Sequence, residues 1–270
     1  MHLDNLVNII LKPLIFVFIT SVNPISAQVM PSYLSQLTTE DITNNYAKGC
    51  SANRQFYTQN FNESKKVLRT LFLSVSNRTL YCDCKLTVID RQISYDSSCG
   101  FKSKRKITGP LVNWEHIMPA SRFGRNLTCW SSTIFKRNRG RRYCQKTDNC
   151  FNRMEGDLHN LAPALTELNF ERSNYRYGII EGEDREYGSC DFEVDNRHRI
   201  VEPRESIRGN IARTYFYMSW WYGIELTNVE KEILLQWNQE DPPDETERKL
   251  EAARRRLQGN GNPFITGWKN

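Results

Sequence analysis

One of the four histidines in the sequence, His116, directly follows an acidic residue, Glu115, at the end of an apolar segment. A second group of polar residues follows in the segment 154–174 and includes Glu155 and Asn169. An imidazole with a pKa near neutral suits a general base. Carboxylate and amide oxygens are ligands that Mg²⁺ prefers in proteins. Glu115 and Asn169 therefore suit a magnesium ion, and His116 suits a base that activates water.

The basic residues of the chain are concentrated around this histidine. Between Lys102 and Arg142 there are eleven basic residues and one acidic residue, Glu115, so the window has a formal charge of +10. The other residues include 26 basic and 30 acidic side chains, although the whole chain has a net charge of +6. Such an uneven distribution favours a polyanionic partner, and a solvated basic loop is the alternative.

A histidine, two oxygen ligands and a basic surround match the needs of one reaction. Hydrolysis of a phosphodiester requires a base for water, a hard cation on the phosphate, a positive group for the developing charge and a proton for the leaving oxygen. An arginine of the basic window suits the positive group. The residues alone leave open which arginine has this role.

Composition limits the class of protein to which the chain belongs. The chain has 270 residues, of which 39% are hydrophobic and 25% charged, which is typical of a globular protein with a core. This excludes a wholly disordered chain, a collagen-like chain and a polytopic membrane protein. There is no internal repeat and no linker rich in Pro and Ser, so we predict a single domain.

The first 27 residues are typical of a secretory signal peptide. Lys12 precedes an apolar stretch, 14–22, and Ala27 provides a small residue at a cleavage site. The apolar stretch is shorter than the roughly 20 residues that a membrane span requires. We therefore predict cleavage, a mature chain of residues 28–270, no stable membrane insertion afterwards, and a secreted or periplasmic location.

Eight cysteines follow this leader. An oxidising compartment favours disulfides, and no pair of Cys-x2-Cys motifs indicates a zinc site. Sequence alone does not choose among the 105 pairings that eight cysteines allow.

The apolar patterns predict an α+β fold in which helices dominate. The predicted helices are 38–74, 164–173 (opened by Pro163), 211–222 (buried and aromatic), 230–238 and 244–258. The predicted strands are a strand or hairpin in 80–95 and a short strand, 111–114, that leads into Glu115.

Several segments in the same order resemble the motifs of the bacterial endonuclease I family. They are Val112–Ala120, Glu155–Leu161, Glu167–Asn169, Arg172–Tyr175, Ile211–Tyr217 and Gln258–Phe264. The resemblance implies a helix-rich, disulfide-stapled domain with a ββα-metal (His-Me finger) site. It also implies a secreted nonspecific nuclease that cuts DNA, and RNA as well, leaving a 5′-phosphate.

The resemblance also implies roles for individual residues. His116 would be the general base, and Glu115 and Asn169 would hold one divalent ion. Arg141 would contact the scissile phosphate, and Glu155 would position water or supply a proton. The basic segment is longer than the family pattern, so two more arginines compete for the role of Arg141. The further substrate contacts that we predict are Arg139, Arg142 and Arg122.

We therefore predict a monomeric, Mg²⁺-dependent endonuclease without sequence preference, with Ca²⁺ or Mn²⁺ as alternative ions. The alternative function is a secreted, non-catalytic module that binds nucleic acid or another polyanion, which the basic window alone would serve. A metal-dependent phosphatase for small esters fits the large basic surface less well.

Overall fold

The structure is a computed structural model that describes residues 49–50, 60–107, 111–131, 140–182 and 184–268. The predicted signal peptide, Arg139 and much of the predicted helix 38–74 lie outside these residues. No helix within them is long and apolar enough to cross a membrane.

Strands in the described residues form three small sheets. They are β1 (Leu86–Ile89), β2 (Gln92–Tyr95), β3 (Val112–His116), β4 (Leu161–Leu165), β5 (Arg176–Tyr177), β6 (Phe192–Asp195) and β7 (Ile200–Pro203). The pairs β1–β2 and β3–β4 are antiparallel, and the third sheet has the order β5–β7–β6 with β5 parallel to β7. The predicted hairpin in 80–95 and the predicted strand before Glu115 are confirmed.

Ten α-helices have their bounds within the described residues. They are α1 (Phe61–Ser74), α2 (Ala120–Gly124), α3 (Thr128–Ser131), α4 (Arg141–Thr147), α5 (Asn149–Glu155), α6 (Thr166–Arg172), α7 (Arg208–Tyr222), α8 (Asn228–Glu240), α9 (Glu245–Gln258) and α10 (Pro263–Thr266). The helix-rich α+β class that the sequence predicts is confirmed.

The three predicted C-terminal helices are present, and their ends follow from local chemistry. Thr227 and Glu230 form a reciprocal capping box at the start of α8. Asp244 accepts a hydrogen bond from the Glu247 amide at the start of α9, and Gly259 ends that helix with a φ of 90°. The aromatic helix α7 is buried on nearly all of its faces and packs most extensively against α8.

The prediction that Pro163 opens a helix is wrong. Pro163 lies inside β4, opposite Trp114 of β3, and the helix begins three residues later at Thr166. The carbonyl oxygen of Pro163 accepts a hydrogen bond from the Leu80 amide and so points away from β3. The nitrogen of a strand residue points to the same side as its carbonyl, so the missing N–H of this proline removes no bond between β3 and β4.

Four disulfides involve all eight cysteines, as the sequence predicts. The pairs are Cys50–Cys150, Cys82–Cys190, Cys84–Cys99 and Cys129–Cys144. Cys82–Cys190 and Cys84–Cys99 attach the segment before β1 to the third sheet and to the turn after β2, and Cys129–Cys144 joins α3 to α4. These bonds tie the peripheral segments to one hydrophobic core.

Candidate active site

The strands β3 and β4 and the helix α6, which directly follows β4 in the chain, bring the predicted site residues together. Glu115 and His116 are the last two residues of β3 and lie opposite Ala162 and Leu161 of β4. β4 continues into α6 without a loop, which places Asn169 in the middle of that helix. The unit β3–β4–α6 has the ββα order that the sequence predicts.

A surface cavity of about 860 Å³ opens over this unit. Its lining includes Glu115, His116, Asn169 and, from α4, Arg141. Four of the predicted residues, which come from three separate elements, therefore share one space.

His116 is nearly buried and has a defined orientation. Its Nε2 lies 2.8 Å from the backbone oxygen of Glu155. A carbonyl oxygen can only accept, so Nε2 carries the proton and Nδ1 of the neutral ring is left as an acceptor. Burial, followed by the positive charge of Arg141, lowers the pKa of His116 to about 3. The ring is therefore neutral at physiological pH, and it packs against the ring of Phe61 at a centroid distance of 4.7 Å.

The carboxylate of Glu115 is only 2% exposed and is held on one oxygen. Its Oε1 accepts a hydrogen bond from the Tyr81 hydroxyl at 2.7 Å and another from Arg172 Nη1 at 2.8 Å. Burial raises the pKa of Glu115, and the positive charge of Arg172 opposes this shift. Both of these contacts are made by Oε1, so Tyr81 and Arg172 leave Oε2 for another partner.

Asn169 offers a second oxygen to the same cavity. Its Nδ2 donates a hydrogen bond of 2.7 Å to Oδ1 of Asn113 on β3, so the amide oxygen of Asn169 is the group left for a ligand. The described residues contain no cluster of three or more His, Cys, Asp or Glu side chains that could hold a metal. One carboxylate and one amide oxygen fit a hard cation that keeps several waters, such as Mg²⁺, and do not fit zinc.

Glu155 connects the histidine to the arginine. Its backbone oxygen holds His116, and its buried carboxylate accepts hydrogen bonds from Arg141 Nε at 2.5 Å and from Gln145 Nε2 at 2.8 Å. The Arg141 side chain is 42% exposed and lies over the ring of Phe61. Because the ion pair uses Nε, the two terminal nitrogens of Arg141 are left for a phosphate.

The other predicted arginines have different surroundings. Arg122 forms an ion pair of 2.7 Å with Glu230 and donates to the backbone oxygen of Glu225. Arg142 is exposed on α4. Among the described residues that line the cavity, neither Arg122 nor Arg142 is found. Arg139 lies outside the part of the chain that the structure describes.

Sequence reasoning missed three residues that hold the site in place: Tyr81, Gln145 and Arg172. A buried carboxylate requires a hydrogen-bond donor or a cation as its partner. From sequence, this requirement could have indicated only that Glu115 has such a partner. The sequence does not identify the partner, because Tyr81 and Arg172 are 34 and 57 residues away from Glu115.

Comparison with known proteins gives a match along most of the chain. A family model described as Endonuclease I matches residues 32–268. An extracellular deoxyribonuclease of Aeromonas hydrophila is 38% identical over 212 residues, which cover 77% of this chain and 90% of that protein.

More distant relatives extend the range of named substrates. Endonuclease-1 of Buchnera aphidicola subsp. Acyrthosiphon pisum is 34% identical over 229 residues, 82% of this chain and 88% of that protein. An extracellular ribonuclease of Bacillus subtilis is 31% identical over 127 residues, 40% of this chain and 43% of that protein.

Proposed function

Because the chain belongs to the endonuclease I family, we propose that it hydrolyses DNA with His116 as the general base and one divalent cation on Glu115 and Asn169. The protein is a secreted or periplasmic nuclease, a hydrolase of phosphodiester bonds. One observation supports the assignment of residues above the others. It is the single cavity lined by a neutral imidazole, a carboxylate, an amide oxygen and an arginine.

His116 acts through Nδ1. The hydrogen bond from Nε2 to the Glu155 carbonyl keeps the proton on Nε2, so Nδ1 has a lone pair for a proton of the attacking water. The same bond and the packing of Phe61 fix the plane of the ring, which removes the cost of orienting the base during the reaction.

Arg141 binds the scissile phosphate. Its Nε is held by Glu155, and its terminal nitrogens donate to the phosphate oxygens as negative charge develops on them. In this mechanism the Glu155 carboxylate is a positioning group rather than a proton donor, because Arg141 and Gln145 both bind it.

Glu115 and Asn169 would hold the ion, which we propose is Mg²⁺, with Ca²⁺ or Mn²⁺ as alternatives. A bound divalent cation stabilises negative charge on the phosphate and on the leaving oxygen. Arg172 and Tyr81 hold Glu115 in place by its other oxygen.

The substrate is DNA, and RNA is included because relatives are named deoxyribonuclease and ribonuclease. We propose cleavage without sequence preference that leaves a 5′-phosphate, by a monomer. Arg139, Arg142 and Arg122 stay predicted substrate contacts. Residues 1–27 are proposed as a signal peptide and 28–270 as the nuclease domain; the family match begins at residue 32, beyond the proposed leader.

Nicking of supercoiled plasmid by the purified, oxidised mature chain tests this function. We expect cutting with Mg²⁺, no cutting with EDTA, and loss of cutting in His116→Ala. His198→Ala, which replaces an exposed histidine outside the lining of the cavity, serves as the matched control. Wild-type cutting by His116→Ala would contradict the role of the base. Retention of plasmid without nicking under any metal would favour a binding module instead.

A further inference from the structure

A second groove lies beside the catalytic cavity, between α1 and the β1–β2 hairpin. It has a volume of about 520 Å³. Its lining in the described residues contains four basic side chains and no acidic one: Asn62, Lys65, Lys66, Arg69, Arg91, Gln92, Ile93, Val112 and Trp114. We refer to it as the hairpin groove. None of its basic residues belongs to the basic window 102–142.

The hairpin groove is continuous with the catalytic cavity. Lys65 and Trp114 line both spaces. Trp114 directly precedes Glu115 on β3. A polymer bound over Glu115 and His116 would therefore pass Trp114 and Lys65 and enter the groove.

The basic side chains of the hairpin groove are available for a ligand. Lys66, Arg69 and Arg91 form no ion pair with any residue in the described ranges. Lys65 and Arg69 are four residues apart on α1, which places them on one row about 6 Å apart along the helix axis. The phosphates of one nucleic acid strand repeat about every 3.4 Å along the duplex axis, so two repeats cover about 7 Å and this row can meet two phosphates of the same strand.

Arg91 lies in the tight turn of the β1–β2 hairpin. Asp90 and Arg91 form the two-residue loop between β1 and β2, and both have positive φ, 48° and 64°. This is the geometry of a type I′ turn, in which glycine is favoured at the second position. From this turn the Arg91 side chain lines the groove.

We propose that the hairpin groove binds the sugar–phosphate backbone of the nucleic acid strand whose scissile phosphate lies in the catalytic cavity. This extends the proposed nuclease function by several nucleotides on one side of the cut. Lys66, Arg69 and Arg91 contribute affinity for long substrates and do not take part in the bond that breaks.

Binding in EDTA tests the groove separately from cleavage. The probes are a labelled tetranucleotide and a labelled strand of about 30 nucleotides, a length that exceeds the site sizes of single-strand binding folds. For Lys66→Gln/Arg69→Gln, we expect the affinity for the long strand to fall by about tenfold or more. The slope of log K against log salt should fall by roughly 1.4, because each phosphate contact on a single strand contributes about 0.7. The tetranucleotide should lose less affinity than the long strand, because it spans fewer phosphates and so makes fewer contacts with the groove.

A matched control removes the same charges elsewhere. Lys249→Gln/Arg256→Gln also loses one lysine and one arginine at helix surface positions, on α9. We expect it to bind the long strand as the wild type does. Equal losses in the two double variants would show a general charge effect and would overturn the proposal.

Arg91→Gly separates binding from folding. Glycine fits the left-handed turn, so the thermal midpoint should stay the same or rise. Affinity for the long strand should still fall by several-fold. Unchanged long-strand affinity in both Arg91→Gly and Lys66→Gln/Arg69→Gln would overturn the proposal.

Plasmid nicking distinguishes the failure of this inference from the failure of the proposed function. If the wild type cuts plasmid and the groove variants bind and cut as it does, the groove is not a substrate surface. If the wild type does not cut, but the groove variants still lose binding in EDTA, the groove binds nucleic acid in a protein without nuclease activity.

Discussion

At the residue scale, a buried arginine organises the proposed metal ligand. Arg172 is 1% exposed and donates three hydrogen bonds, to Glu115 Oε1 and to the backbone oxygens of His116 and Ile117. One guanidinium therefore fixes both the carboxylate and the backbone that carries the base. An arginine in the last turn of a helix would be taken from sequence for a solvated residue that interacts with the helix dipole.

Arg172→Met, which keeps most of the volume, should destabilise the protein by about 3–5 kcal/mol, because it leaves the Glu115 carboxylate buried without its cation. The measurement is urea unfolding at neutral pH. Glu115→Gln/Arg172→Met should recover part of this loss, since the neutral amide needs no cation. If the single variant unfolds at the wild-type urea concentration, the buried pair has no structural role.

Arg141 is expected to use two sides of its guanidinium at once, with Nε on Glu155 and the terminal nitrogens on phosphate. A lysine has a single ammonium group and cannot reproduce this geometry. Arg141→Lys should therefore lower kcat/KM by roughly 10²-fold, the cost of removing one preorganised donor. The assay is steady-state cleavage of a fluorogenic oligonucleotide.

Glu155→Gln provides the partner in a double-mutant cycle with Arg141→Lys. If Glu155 acts through Arg141, the two losses should be strongly non-additive. Additive losses would mean that the Glu155 carboxylate acts independently, as a water-positioning or proton-donating group would.

Residue type, position in the chain and the family resemblance together indicated candidate chemistry at Glu115, His116 and Asn169. A histidine, a carboxylate and an amide suit a base and a hard-cation site whatever the fold. The residues that support them could not be identified, because their roles depend on contacts between distant segments. Tyr81, for example, bonds to Glu115 in a segment that the Cys82–Cys190 disulfide and the contact with Phe192 join to the third sheet.

At the element scale, Asn160, the residue that precedes β4, holds the turn after β3 in place. The Asn160 side chain accepts a hydrogen bond from the Met118 amide at 2.7 Å and donates one to the Met118 carbonyl at 3.0 Å. The Ile117 amide in turn donates to the backbone oxygen of Asn160. These bonds lock the chain that leaves His116 against the start of β4.

Asn160→Ala should destabilise the protein by about 2–4 kcal/mol, because both buried backbone groups of Met118 lose their partner. Hydrogen exchange gives the specific readout, since protection of the Met118 amide should fall more than that of the β3 core. Asn152→Ala removes a single exposed hydrogen bond to Gln145 and should cost well under half as much. Equal protection of Met118 in the wild type and Asn160→Ala would contradict this role.

The elements that sequence predicts well are those whose ends are set by local chemistry. The caps Thr227, Asp244 and Gly259 mark α8 and α9 in sequence and in structure. β4 was missed because all five of its residues are buried. Its sequence therefore lacks the alternation of apolar and polar residues that indicates a strand. Proline is a local signal for a helix start, and here that signal is overridden by a pairing partner about 50 residues earlier in the chain.

At the scale of the whole molecule, a second set of buried polar residues, separate from those of the candidate site, lies around α7. Asp157 accepts hydrogen bonds from the hydroxyls of Tyr217 and Tyr222, and Arg213 pairs with Glu247 of α9. Most of the described basic residues of the window 102–142 are exposed. The sequence predicts this surface charge and the disulfides by counting residues, whereas the interior pairs follow only from the packing of α7 against α9 and the segment before β4.

One of these interior residues should make stability depend on pH. His159 is 1% exposed; its Nε2 lies 2.9 Å from the Asn260 carbonyl, and its ring lies 4.6 Å from that of Tyr217. Burial lowers the pKa of His159 to about 4, with Arg254 adding to the shift and Asp157 opposing it. The folded protein therefore holds this ring neutral where the unfolded chain, with an ordinary pKa near 6.5, takes up a proton.

The free energy of unfolding contributed by His159 should be fully present above about pH 6.5 and should be lost as the pH falls from there toward 4. A depression of this size corresponds to about 3 kcal/mol. His159→Gln, whose amide can still donate to Asn260, removes the titration. The measurement is the free energy of unfolding in urea, from pH 7.5 to 4, for the wild type and this variant. In the difference between the two proteins, the contributions of the other titrating groups cancel. As acid is added, the wild type should lose about that much stability relative to the variant, and a constant difference would show that folding does not change the pKa of His159.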